Sequence, residues 1–192
     1  MTKHIALIIV TLLLMASGTS KAQTEQQKYT LVQQFPGFEV RYYPPALMAT
    51  VHSRANSYRE LSSPGFRTLA SYIFGDNTDG KKIAMTAPVH MDIGRDGSKM
   101  SFVMPSEYEY DDLPEPSSEA VILEESKPEY VAALTFGGYA SDEKIKEESE
   151  KLLKYLKDNN ITSIGNFRFL GYNSPYKFWN RRNEIIVQII WD

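Results

Sequence analysis

Phe38-Glu39-Val40-Arg41-Tyr42-Tyr43-Pro44-Pro45-Ala46-Leu47-Met48-Ala49-Thr50-Val51-His52 is the stretch whose reading decides the fold. Phe38, Val40 and Tyr42 fall on one face and Glu39 and Arg41 on the other, the period of two that a half-covered strand requires. Pro44-Pro45 turns the chain, and Ala46 to His52 continues as a second antiparallel strand. Downstream the period changes to that of a helix. Ser63 reads as an N-cap with Pro64 at the first helical position, Phe66, Leu69, Ala70 and Ile73 repeat on one face, and Gly75 stops the helix, so residues 63–74 are expected to be helical. Asn77 to Gly80 is turn chemistry. Ile83 to Ile93 and Lys99 to Met104 then read as strands joined by the hairpin loop Gly94-Arg95-Asp96-Gly97.

Pro105 to Ser118 is acidic, proline-rich and aperiodic, the signature of a surface connection. Beyond it the same order returns, with strands at 120–125 and 130–136, a helix at 141–158, and strands at 167–172 and 184–191. At an offset of 83 residues Met48-Ala49 falls on Val131-Ala132, Leu69 on Leu152, and Phe102-Val103-Met104 on Ile185-Ile186-Val187. A ββαββ unit therefore repeats, over about 38–104 and 120–191. Two such units give an α+β fold, a distorted, mostly antiparallel eight-stranded β-barrel flanked by two α-helices. On the second helix Ile145, Leu152, Leu153 and Leu156 form the apolar stripe, and Lys144, Lys146, Glu147, Glu150, Lys151, Lys154 and Lys157 form a solvated face.

The first residues follow a different logic. Lys3 and His4 precede the apolar or small stretch Ile5 to Ala16, and the segment ending Ser20-Lys21-Ala22 fits a small-x-small cleavage site. Residues 1–22 are read as a secretory signal peptide, 23–28 as a flexible leader and 29–192 as the domain, exported to a bacterial periplasm or secreted. An apolar stretch of 12 residues is short of the ~17–25 that a helix needs to span a bilayer, so stable membrane insertion is not expected. Without residues 1–22 the chain carries 19 basic against 24 acidic residues and no long basic run, which argues against nucleic acid as a partner.

The chain has no cysteine, so disulfides, zinc ribbons, iron–sulfur ligation and covalent haem attachment are excluded. His52 and His90 stand in no metal-binding spacing, Ser62-Ser63 lacks a nucleophile elbow, and Gly75 to Gly80 lacks the lysine of a phosphate loop. No acid–base pair with catalytic spacing is visible, and an enzyme is not expected. Taken alone, the residues lead to a ligand-binding or scaffold domain.

Three segments carry a resemblance. Tyr72-Ile73-Phe74-Gly75-Asp76-Asn77 runs into Lys82-Ile83-Ala84-Met85-Thr86-Ala87-Pro88-Val89; Phe136-Gly137-Gly138-Tyr139-Ala140 follows; and Gly171-Tyr172-Asn173-Ser174-Pro175 leads to Arg181-Arg182-Asn183-Glu184. In this order, with Phe38 to Tyr43 as first strand, they resemble the SOUL family of haem-binding proteins from about Tyr29 to Trp191. That family's fold, a distorted β-barrel from two repeats with two helices, agrees with the doubled unit.

The resemblance implies reversible, non-covalent binding of haem or another tetrapyrrole in a shallow apolar groove between the first helix and the loop before the last strand. Phe66, Ala70, Phe74 and Met85, with the aromatic run Tyr172, Tyr176, Phe178 and Trp179, would face the ring. Arg67, Lys177 and Arg181 would meet the propionates. Some relatives carry histidine directly after the first-strand arginine, where this chain has Tyr42. Haem is therefore expected to pack by its faces without a fixed axial ligand, Tyr42 and His52 being the candidates for one. The protein would act as a haem carrier, buffer or scavenger. The same architecture resembles effector-binding domains of bacterial drug-sensing regulators, so a sensor or interaction module for another small apolar ligand or a protein is the second reading.

Overall fold

The computed structural model describes residues 24–191 apart from Arg95, Asp96 and Pro175; the export signal expected at 1–22 lies outside the described residues. The strands are β1 (Thr30–Phe35), β2 (Phe38–Tyr43), β3 (Leu47–Ser53), β4 (Val89–Gly94), β5 (Gly97–Val103), β6 (Val121–Glu125), β7 (Glu129–Phe136), β8 (Ser163–Gly171) and β9 (Asn183–Ile189). Helix α1 (Tyr58–Ile73) lies between β3 and β4, and α2 (Asp142–Asp158) between β7 and β8. All nine strands belong to one sheet in the order β1-β2-β7-β9-β8-β4-β5-β3-β6, every neighbouring pair antiparallel. The fold is α+β, a distorted barrel-like sheet flanked by two helices; the barrel stays open, with β1 and β6 as outer strands.

The ninth strand is β1. Its residues Thr30 to Gln34 are all exposed, so no buried face marks it in the sequence, and it joins the sheet through backbone pairing with β2. The two strands read from Phe38 to His52 are both present but do not pair with each other. β2 lies between β1 and β7, with Val40 opposite Ala132, and β3 lies between β5 and β6, with Met48 opposite Val103 and Glu124. Alternation sets which face a strand buries, and says nothing about which strand lies beside it.

The helices cover one face of the sheet. Leu61, Leu69, Tyr72 and Ile73 of α1 and Leu152 and Leu156 of α2 pack with Val40, Val51, Met100, Phe102, Leu134, Ile185 and Val187 in the main core. Each fully buried leucine contributes about 1.5–3 kcal/mol. Strand residues of the opposite parity, Tyr43, Val131, Ala133, Leu170 and Ile186, form a smaller cluster on the other face.

Helix α1 starts before Ser63. Ser57 is its N-cap, accepting from Glu60 N at 3.2 Å, and the Glu60 carboxylate accepts from Asn56 N at 3.1 Å. Asp142, at the start of α2, accepts from Tyr58 N at 2.6 Å and Arg59 N at 3.3 Å. With its first donors held in this way the helix runs through Pro64, which lies in the second turn and removes one intrahelical bond. Ser63 is thus a helix residue and no cap. Regular pairing in the stretch expected as a strand from Ile83 begins only at Val89, and Gly94 pairs with Gly97, so the hairpin loop has two residues between paired ends. The segment expected to be a flexible leader is hydrogen bonded: Gln27 N donates to Ala87 O and Ala87 N to Glu25 O, both at 2.8 Å.

Candidate functional site

A groove of about 480 Å³ opens along α1 where β4 meets β8. Ligand sites are typically about 300–1,000 Å³. Strand parity builds its floor: Val89 and Met91 of β4 lie beside Phe169 and Gly171 of β8, with Val89 opposite Gly171 and Met91 opposite Phe169. One wall is the face of α1 carrying Tyr58, Ser62, Ser63, Phe66, Arg67 and Ala70. The phenol of Tyr58 is raised above its ordinary pKa by burial, and its ring meets Phe169 edge-on at 5.4 Å. Phe66 likewise meets Phe102 at 5.3 Å, which fixes an aromatic edge beside the floor.

The opposite rim comes from Asn173, Arg181 and Asn183 around the β8–β9 connection. Arg181 holds that connection with Nη1, which donates to Lys177 O at 2.7 Å and Ser174 O at 3.1 Å, while its guanidinium lies 4.8 Å from the centre of the Tyr139 ring. Its Nε is buried and has no hydrogen-bond partner among the described residues. A buried donor left without an acceptor costs roughly 1–3 kcal/mol, so this atom is poised for an anionic group. The Gly-Gly of the family motif serves the same corner: Gly138 has φ +86°, suited to glycine, and its carbonyl accepts from Asn183 Nδ2 at 2.9 Å.

Of the residues expected at the site, the structure brings together Phe66, Arg67, Ala70 and Arg181. Phe74 caps the end of α1, is 64% exposed and does not line the groove. Met85 packs half-buried against the main core. Tyr172 belongs to the other face of the sheet, where its hydroxyl donates to Glu184 at 2.8 Å. Tyr176 is exposed, and Lys177 contributes only its backbone, accepting from Arg181. Tyr58, Val89, Met91, Phe169, Asn173 and Asn183 were not expected. The alternation Val89-His90-Met91-Asp92 was the available signal for two of them, since its apolar parity faces α1.

Neither candidate axial ligand reaches the groove. Tyr42, on β2, lies with its ring tilted against that of Tyr130 at 5.1 Å, with β7 and β9 between it and β8. His52 is exposed in a separate depression with Asp92, Lys99 and Asn166. His90 is buried on the other face, 2.7 Å from Gln27 Oε1, and burial, helped by Arg168 and Lys99, lowers its pKa to about 3. Among the described residues no histidine lines the groove.

The arginine-rich end of the third motif works elsewhere too. Glu184, fully buried, accepts from Arg41 Nη1 at 2.8 Å and Nη2 at 3.1 Å, from Arg182 Nη2 at 2.7 Å and from Tyr172 and Thr135 hydroxyls. Burial alone would raise its carboxyl, but Arg41 and then Arg182 outweigh it and hold the pKa below the ordinary range. This cluster locks β2, β7 and β9 together behind the groove.

A model of the family described as SOUL heme-binding protein matches residues 24–188. Heme-binding protein 2 of Homo sapiens is 32% identical over 160 residues, 78% of this chain and 77% of that protein, and heme-binding protein 1 of Xenopus laevis is 26% identical over 77% and 81%. Among solved structures, a hydrolase from Listeria innocua superposes with a TM-score of 0.59 over 83% of this chain and 94% of that one at 9% identity, a likeness of fold alone. With the barrel, the two helices and the groove-side motifs in place, the chain belongs to the SOUL heme-binding protein family.

Proposed function

We propose that the groove along α1 binds haem or a related tetrapyrrole reversibly, and that the protein is a carrier or buffer and no enzyme. One observation carries the reading: an apolar floor ends at an arginine whose buried Nε lacks an acceptor among the described residues. Phe66, Ala70, Val89, Met91 and Phe169 would pack on the porphyrin faces, while Arg67 and Arg181 would meet the propionates. The iron supplies redox and ligand chemistry when haem is bound; this chain's residues bind the ring, orient it and shield it from water. Family membership and the relatives named for haem support the ligand. The apolar stretch Ile5–Ala16 after Lys3 and His4 supports export as the context for this carrier.

Because the groove offers no histidine, haem and metal-free protoporphyrin should bind within a few-fold of each other. Titration of each, read by the Soret band, checks this. Arg181→Ala should weaken both about tenfold, the loss of one charge-assisted hydrogen bond worth about 1.4 kcal/mol. A Soret band unchanged by the protein would overturn the reading. An unrelated apolar dye bound equally well, and indifferent to the substitution, would leave a general apolar site in its place.

A further inference from the structure

The β8–β9 connection displays Tyr176, Phe178 and Trp179 at 81%, 69% and 76% exposure, with Tyr139 beside them at 58%. Exposed large apolar side chains are ordinary when scattered and informative when they gather at one loop. The loop is held in this shape: Lys177 N donates to Ser174 O at 3.1 Å, and Arg181 donates to the carbonyls of Ser174 and Lys177. From Gly171 to Asn183 there is no acid and three cations, Lys177, Arg181 and Arg182, in a chain whose net charge is −3. Arg182 is committed to Glu184 and Arg181 to the carbonyls of Ser174 and Lys177, which leaves the half-buried Lys177 as the cation beside the aromatics.

We infer that this loop docks the protein on an anionic lipid bilayer, its aromatic tip at the level of the headgroups. Trp and Tyr favour that layer because they have an apolar body and a polar edge, Phe adds apolar area, and lysine and arginine pair with lipid phosphates. The same residues Asn173 and Arg181 form the groove's rim, so docking would hold the groove mouth against the membrane. No tetrapyrrole is needed for this contact, so its success or failure is separate from that of the haem reading.

The test uses the full chain carrying Trp191→Phe, which leaves Trp179 as the sole tryptophan. Because Ile5–Ala16 is itself apolar, co-flotation with vesicles does not decide the matter; the emission of Trp179 does. With phosphatidylcholine vesicles containing one part in three phosphatidylglycerol, Trp179 should shift to the blue and be quenched by lipids brominated near the interface. Phe178→Ser and Lys177→Glu should each lower the fraction of quenched Trp179 several-fold, with far-UV circular dichroism unchanged. Trp179 emission that ignores the vesicles would overturn the proposal, and so would quenching that stays as high in both substituted proteins as in the Trp191→Phe parent.

Discussion

At the scale of residues, Glu184 and His90 make acid the enemy of this fold. Glu184 is fully buried against Arg41, which is itself 1% exposed, so Glu184→Gln leaves that guanidinium with only the partly exposed Glu39, 2.7 Å from its Nε, as counter-ion. Breaking such a pair from one side costs about 3–5 kcal/mol, and a urea midpoint compared with wild type would register it. His90 adds a pH window of its own. The unfolded imidazole takes a proton near pH 6.5 and the folded one only near 3, so between those values protons favour the unfolded chain. The stability that the neutral ring contributes is complete above pH 6.5 and is lost progressively as the pH falls. From pH 7 to pH 5 the wild type should lose up to about 2 kcal/mol. His90→Gln should hold its urea midpoint nearly constant over that range; an equal decline in both proteins would remove His90 as the cause. None of this was legible beforehand. A histidine between two valine- or methionine-like neighbours shows that it faces away from them, but the distant Gln27 that meets its ring comes from a segment without periodicity.

At the scale of elements, what the sequence disclosed depended on whether the information was local. Helix α2 was legible in its span and its stripe because Leu152 and Leu156 recur at helical spacing within one segment, whereas the burial of Glu148 beside them was not. Helix α1 was legible in its apolar face and wrong at its start. The true cap, Ser57, lies six residues upstream of Ser63-Pro64, which offered a competing start, and the decisive support, Asp142, comes from the other helix. Ser57→Ala should therefore cost about 1 kcal/mol and Ser63→Ala less than about 0.5, a contrast that thermal or urea unfolding can measure. The groove divides along the same line. Helical periodicity put Phe66 and Ala70 on one face and the family resemblance put that face at a groove, whereas Phe169 and Met91 line it through the pairing of β4 with β8, a contact between strands far apart in the chain. Tyr172 was misplaced by one residue of parity: Gly171 faces the groove and Tyr172 the Glu184 cluster.

At the scale of the whole molecule, the strand order binds the two halves of the chain into one cooperative unit. Read from β2 to β6 the order is β2-β7-β9-β8-β4-β5-β3-β6, and it is unchanged when reversed with β2 and β6, β3 and β7, β4 and β8, and β5 and β9 exchanged. The halves meet at three junctions. β2 pairs with β7, β8 with β4, and β3 with β6, so each half sends a strand beyond the far side of the other. Stopping the chain after Met104 would leave α1 over β4, β5 and β3 only. Phe38 and Val40 would lose Ala132 and Leu134, which share their core, and Arg41 would lose Glu184. Too little apolar surface would then be covered to offset the conformational entropy of about 80 residues. The fragment 24–104 should thus show the far-UV spectrum and narrow amide dispersion of an unfolded chain. The groove follows the same rule, because α1 and β4 come from the first half and β8, Asn173 and Arg181 from the second. A tetrapyrrole seated there would touch both halves and bind only the complete fold. At a ligand concentration ~100 times Kd it should stabilise the protein by about 2.7 kcal/mol, raising Tm by roughly 5–10 °C in a single transition. Two transitions, with only one moved by haem, would mean that the halves unfold separately and that the strand exchange does not couple them.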